Sequence, residues 1–152
     1  LNSFLVANAA HSLEEILSRS GVPPRLVALE NVDFPFEPIR RLVDRFDTSI
    51  CLDTGHILAG YSGKTGVLDF LKRHFDKIIE VHLHDGYLRK KHGLSLRADH
   101  LAIGDGDLPI ARFLGSLDQH GFRGPVVFEL ALEDACKSIR TIRKISPEIS
   151  IE

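Results

Sequence analysis

Disulfides are the first thing this sequence lacks. Its 152 residues hold two cysteines, Cys51 and Cys136, with no C-x-x-C spacing. That excludes a disulfide framework and points to reduced thiols in an intracellular, cytoplasmic setting. Long apolar runs are missing too: none approaches the roughly 20 residues that a membrane helix needs. The N-terminus has no signal-peptide character, and no membrane association is expected. Nor is there an excess of one charge. The formal net charge of −2 argues against a chain-wide nucleic-acid surface while leaving room for a local basic loop. There is no low-complexity tract and no sequence-level repeat. The first residue is Leu1 rather than Met, so an upstream portion is expected.

What is present is a core and a concentration of histidine. Hydrophobic residues make up 43% of the chain, enough for one domain over residues 1–152. Of eight histidines, His82, His84, His92 and His100 fall in one segment, where a titrating or metal-binding site would draw on them.

Four short apolar segments read as strands, near 26–30, 49–53, 78–83 and 125–129. Each ends at a side chain able to hold a metal or move a proton: Glu30; Asp53, with His56 three residues on; His82, followed by His84 and Asp85; and Glu129. Helical periods lie between them. Ile39, Leu42, Val43 and Phe46 form one amphipathic set, and Val67, Leu68, Leu71 and Phe75 a second. Leu108, Ala111, Leu114 and Leu117 form a third, stopped by Gly121. In the last helix Ala135, Ile139, Ile142 and Ile145 are expected to face inward. Upstream, residues 1–10 read as one helix, and Ser12-Leu-Glu-Glu15 as a capping box opening another that ends at Gly21 and Pro23-Pro24.

The connections carry further expectations. Asn31 to Pro38 is a loop whose prolines hold off helix until Ile39, and Gly55 to Gly66 is a Gly-rich loop. Thr65 is expected to cap the helix after it. Asp107 is expected to cap the next one, with Pro109 in its first turn. Asp85 to Asp107 shows no sustained period, carries Arg89, Lys90, Lys91, His92 and Arg97, and is long for a connection. It therefore reads as an active-site lid or binding loop. Gly104-Asp-Gly-Asp107 lacks the spaced carboxylates of a calcium loop and reads as a turn.

Strands alternating with helices imply an α/β fold with parallel pairing. If Glu30, Asp53, His82 and Glu129 share a face, then Ala28, Cys51, Glu80 and Val127 share it too. The bulky Val27, Leu29, Ile50, Leu52, Ile79, Val81, Leu83, Val126 and Phe128 take the other. A doubly wound sheet needs two apolar faces, so this asymmetry favours a barrel wall.

Glu30-Asn31, Cys51-Leu-Asp53-Thr-Gly-His56, His82-Leu-His-Asp85, His100-Leu-Ala-Ile-Gly104-Asp-Gly106 and Glu129 resemble, in this order, the xylose isomerase-like TIM-barrel superfamily. That group includes sugar isomerases and epimerases and the AP endonuclease family 2 phosphodiesterases. The resemblance covers about residues 26 to 130. Because a TIM barrel takes roughly 250 residues, it implies the C-terminal half of a (β/α)8 barrel, with four strand-helix units here and the first half supplied from elsewhere. It implies Glu30, Asp53, His82 and Glu129 as ligands of one divalent ion, Mn²⁺, Mg²⁺, Co²⁺ or Zn²⁺. Glu30 and Glu129 would double as the catalytic pair exchanging protons beside a ketose carbonyl. His56, His84 and His100 would bind the sugar or sugar phosphate.

In the phosphodiesterase branch the same rim would hold two or three zinc ions, with His56 and His100 as further ligands. That branch expects Asp-x-His ahead of the Gly-x-Gly loop, whereas here Asp99 adjoins His100, one residue out of place. The displacement counts against a third metal and against a nucleic-acid substrate. Leu29 to Phe36 is also similar to phosphodiesterases acting on cobamide-type substrates.

Plainer readings stand beside these. Glu30 and Glu129 would simply pair with Lys or Arg, Asp53 and His56 would form a turn and cap, and His82 would be a satisfied core histidine. His84, His92 and His100 would be solvated, and Arg89 to Lys91 would be a charged turn. Glu80 is expected to meet a basic residue of the absent half. A non-catalytic half-barrel acting through assembly is the third function carried forward. Such a half-barrel would leave sheet edges open and form a homo-oligomer or join its missing half.

Overall fold

Ser49–Asp53 (β2) is buried along its whole length, as an apolar run flanked by strands on both sides must be. It pairs in parallel with β1 (Ala28–Glu30) on one side and β3 (Ile78–His82) on the other; β6 (Val126–Val127) completes the sheet beside β3. The computed structural model describes residues 2–32 and 35–147.

Register sets the two faces. Glu30 lies opposite Cys51, Cys51 opposite Glu80, and Asp53 opposite His82, so the polar set lines one side. Ile50, Leu52, Val81 and Leu83 lie on the other, buried with Phe70, Leu71 and Phe113 of the helices. Each such side chain contributes about 1.5–3 kcal/mol by leaving water. Two positions depart from strict alternation. A register shift between Ile50 and Cys51 puts Ile78 rather than Ile79 into the core. Val126, on an edge strand, stays 40% exposed. The last strand is also shorter than the expected 125–129, and Glu129 stands just beyond it.

Several local expectations are corrected. Residues 2–20 form one helix, α1 (Asn2–Ser20), in which Ser12 is interior and exposed rather than a cap. The reason is tertiary: Val6, Ala9, Ala10 and Leu13 make a continuous stripe packed on Leu42 and Phe46 of α2 (Glu37–Phe46). Helix α2 begins before Ile39 because Pro38 falls in the first turn, where a missing N–H costs nothing. Asp53 caps a short helix, α3 (Thr54–Leu58), inside the segment expected to be loop. Helix α4 (Val67–His74) is capped by Gly66 without a side-chain bond, and the Thr65 hydroxyl reaches only the Gly66 carbonyl.

The largest correction concerns 85–107. It contains an antiparallel hairpin, β4 (Asp85–Lys91) and β5 (Leu94–Leu101). Its two-residue turn, His92-Gly93, has φ of 50° and 78°, the positive pair that a twisted hairpin requires. Asp107 does not cap α5 (Ile110–Gln119) but pairs with Arg89 of the hairpin at 3.1 Å. In α6 (Leu132–Ile145) the inward positions are Ser138 and Ile142. Ile145 is 47% exposed, and the Ser138 hydroxyl accepts the Ile103 N–H.

Candidate metal centre

Asn31 holds the mouth of the sheet together. Fully buried, it accepts the Asp53 N–H at 2.8 Å and donates to the Asp53 carbonyl and the Ser62 hydroxyl, each at 3.0 Å. The ends of β1 and β2 are thereby fixed to each other. Asp85, the first residue of β4, anchors the loop that follows the hairpin. Its buried carboxylate accepts backbone N–H groups of Gly86, Leu108 and Gly104 at 2.8–2.9 Å. The Gly104-Asp-Gly106 loop therefore wraps one carboxylate, and a Cβ on Gly106 would collide with it. Neither role is visible in the sequence, because the partners are mostly main-chain groups 19 to 23 residues away.

On this frame Glu30, Asp53, His82 and Glu129 each bring one ligand atom to within 4.8 Å of the others. His82 Nδ1 faces Glu30 at 3.7 Å and Glu129 at 3.5 Å, is shut off from solvent, and has no hydrogen-bond partner among the described residues. Among the described residues no Lys or Arg pairs with Glu30, Asp53, Glu80 or Glu129, so the plain ion-pair reading of the glutamates does not appear there. The three carboxylates repel one another across so small a space, a repulsion that His56 offsets from one side and that a cation among them would relieve further. The donor set, oxygen with one imidazole, fits a hard or borderline divalent ion.

His56 sits beside the cluster, its Nδ1 at 2.9 Å from the Asn31 carbonyl and 3.2 Å from Glu30. The Glu30 carboxylate first, with Asp53 and the Asn31 carbonyl, raises its pKa to about 9 despite partial burial. The Cys51 thiol is pushed far up, by burial first and then by Glu80, Glu30, Asp53 and Glu129, and stays protonated.

The remaining histidines divide. His84 was expected at the substrate; instead it is fully buried, with Nε2 2.8 Å from Asp53 and Nδ1 accepting the His100 N–H at 2.8 Å. No ring nitrogen is left free. His100 is half-exposed and reaches Asp99 and Glu129, each at 3.5 Å. Asp99 lies 3.7 Å from His56 Nε2, and His56, Asp99 and His100 form a second group with ligand atoms within 4.8 Å. The carboxylate that looked out of place in sequence thus points at this second group. His92 lies away from these groups, in the hairpin turn. Within the stretch similar to cobamide-type phosphodiesterases, residues 33 and 34 lie outside the described part of the chain.

A family model described as xylose isomerase-like TIM barrel matches residues 5–145. No curated protein matches the sequence. Solved structures similar in fold include the following two. One is a xylose isomerase domain protein from Planctomyces limnophilus, with a TM-score of 0.72 at 19% identity over 97% of this chain and 52% of that one. The other is a 3-keto-D-glucoside 4-epimerase from E. coli in its apo form, with a TM-score of 0.61 at 18% identity over 92% of this chain and 51% of that one. The chain thus spans about half the length of the solved structures it matches, as a half-barrel does. No helix among the described residues is long and apolar enough to cross a membrane.

Proposed function

The chain belongs to the xylose isomerase-like TIM barrel family, and from that premise we propose that it carries the proton-transfer half of a metal-dependent sugar or sugar-phosphate isomerase or epimerase. The observation behind this reading is the buried, unpartnered His82 Nδ1 among Glu30, Asp53 and Glu129. These four residues would hold one divalent ion, which when bound polarises substrate oxygens as a Lewis acid. Glu30 and Glu129 reach the cluster from opposite edges of the sheet, and in this reading each would meet a bound ketose from its own side. One takes the proton from the carbon beside the carbonyl and the other returns it, work that typically supplies roughly 10²–10⁴-fold. His56, oriented by Asn31 and Glu30, donates to a substrate oxygen. Arg97 lies over the Tyr61 ring at 5.2 Å, and that ring is 6.0 Å from His56; this cation is suited to a substrate phosphate. The missing strands would come from a second half-barrel, either a second copy of this chain or an N-terminal half.

Metal analysis of the protein beside Glu30→Gln and Glu129→Gln tests the site. One ion per chain in the parent and little in either variant is expected, together with solvent-deuterium incorporation into a ketose. Unchanged metal content in both variants removes the site.

A second reading is favoured by the convergence of His56, Asp99 and His100 next to the first group. It is a phosphodiesterase with two or three zinc ions, in which those residues add a second ligand set. Two or more ions with phosphodiester cleavage and no ketose exchange would select it.

A further inference from the structure

His84 joins two parts of the molecule that the sequence keeps apart. Because the His100 N–H donates to its Nδ1, the ring proton sits on Nε2 and is donated to Asp53 Oδ2, both contacts being 2.8 Å. The other Asp53 oxygen accepts the His56 N–H at 2.7 Å. The ring is clamped between Gly55, where any Cβ would overlap it, and the His100 ring, stacked at 4.1 Å. His100 belongs to β5 and adopts a φ of 50°, uncommon for a residue with a side chain, and its N–H points to His84. The main chain of His84 is held separately, by two hydrogen bonds with the Thr54 hydroxyl.

We propose that His84 is a positioning residue that couples the β4–β5 hairpin to the carboxylate cluster. The inference rests on reading Glu30, Asp53, His82 and Glu129 as an ion site. With the hairpin seated, the His100 amide fixes the tautomer of His84, and His84 fixes the orientation of Asp53. With the hairpin lifted, the ring loses its acceptor role and Asp53 its donor. Coupling of this kind is reciprocal: filling the cluster with a cation seats the hairpin, and seating the hairpin tightens the cluster.

The test uses Co²⁺ as probe, followed by its visible absorption, with amide hydrogen exchange across residues 94–101 as the second readout. In the parent protein Co²⁺ should slow exchange in β5 several-fold. His84→Phe keeps a flat ring but makes neither bond; it should bind Co²⁺ about 10- to 100-fold more weakly and leave β5 exchange insensitive to the ion. His84→Gln, which can still donate to Asp53, should recover part of the affinity and confirms that a folded protein is being compared. A His84→Phe variant with parental Co²⁺ affinity and spectrum, or with parental β5 exchange when metal-free, overturns the proposal. Failure of the parent to bind Co²⁺ would overturn the ion site and the coupling to it. Faster β5 exchange in metal-free His84→Phe would even then support the tie between hairpin and Asp53.

Discussion

Replacing Glu129 by Gln should stabilise the metal-free protein while abolishing its response to metal. Two unit charges at the 4.8 Å limit of the cluster repel by about 3 kcal/mol at an effective dielectric of 20, and by about 1 kcal/mol in water. The Glu129 side chain is 37% exposed, so screening brings its repulsion with Glu30 and Asp53 toward the lower figure. A net gain of about 1 kcal/mol is expected, a rise in Tm of roughly 2–4 °C for a chain of this size. The parent, by contrast, should gain about 2.7 kcal/mol when a divalent ion is present at a hundred times its Kd. Thermal unfolding of parent and variant in chelator and in Mn²⁺ separates these effects. A variant that is less stable than the parent in chelator, and equally stabilised by Mn²⁺, refutes the argument that like charges are held together for a cation.

Other perturbations probe the frame around the cluster. Asp85→Ala leaves three main-chain N–H groups without their acceptor and should cost on the order of 3 kcal/mol, measured by urea denaturation. Gly55→Ala drives a methyl into the His84 ring; overpacking of about 1–3 kcal/mol should appear as a lower denaturation midpoint. His74 packs on Phe36 and Phe70, and burial first, then Arg40 and Arg73, lowers its pKa. The folded state therefore binds this proton less readily than the unfolded chain. The contribution of His74 is whole above about pH 6.5 and is lost as pH falls through the lower folded value. His74→Phe should flatten that acid limb in stability measured from pH 8 to pH 5.

How far the sequence could be read depended on where each residue's partner lies. Glu30, Asp53, His82 and Glu129 stand out because each ends an apolar run, and parallel pairing brings such ends to one mouth whatever the loops do. The hairpin did not stand out. A register irregularity between Asp85 and Tyr87 breaks its alternation, and its turn uses His92 where Asn or Asp would have signalled positive φ. Thr65 and Asp107 were good caps by residue type, yet Gly66 took the first role and Arg89 drew Asp107 away from the second. The capping box at Ser12 yielded to packing against α2, an override that local propensity cannot foresee. His84 and Asp85 were legible as polar residues after a strand, but their work is done largely on groups 16 to 31 residues away.

The strand order adds one consequence. Glu30 belongs to one margin of the sheet and Glu129 follows the strand at the other, yet their carboxylates meet. Their separation is therefore a gauge of how tightly the sheet is rolled. Flattening the wall by a small angle parts them, and rolling it further presses them together. Whatever lies along the two outer strands would set that curl, and through it the spacing of the two carboxylates.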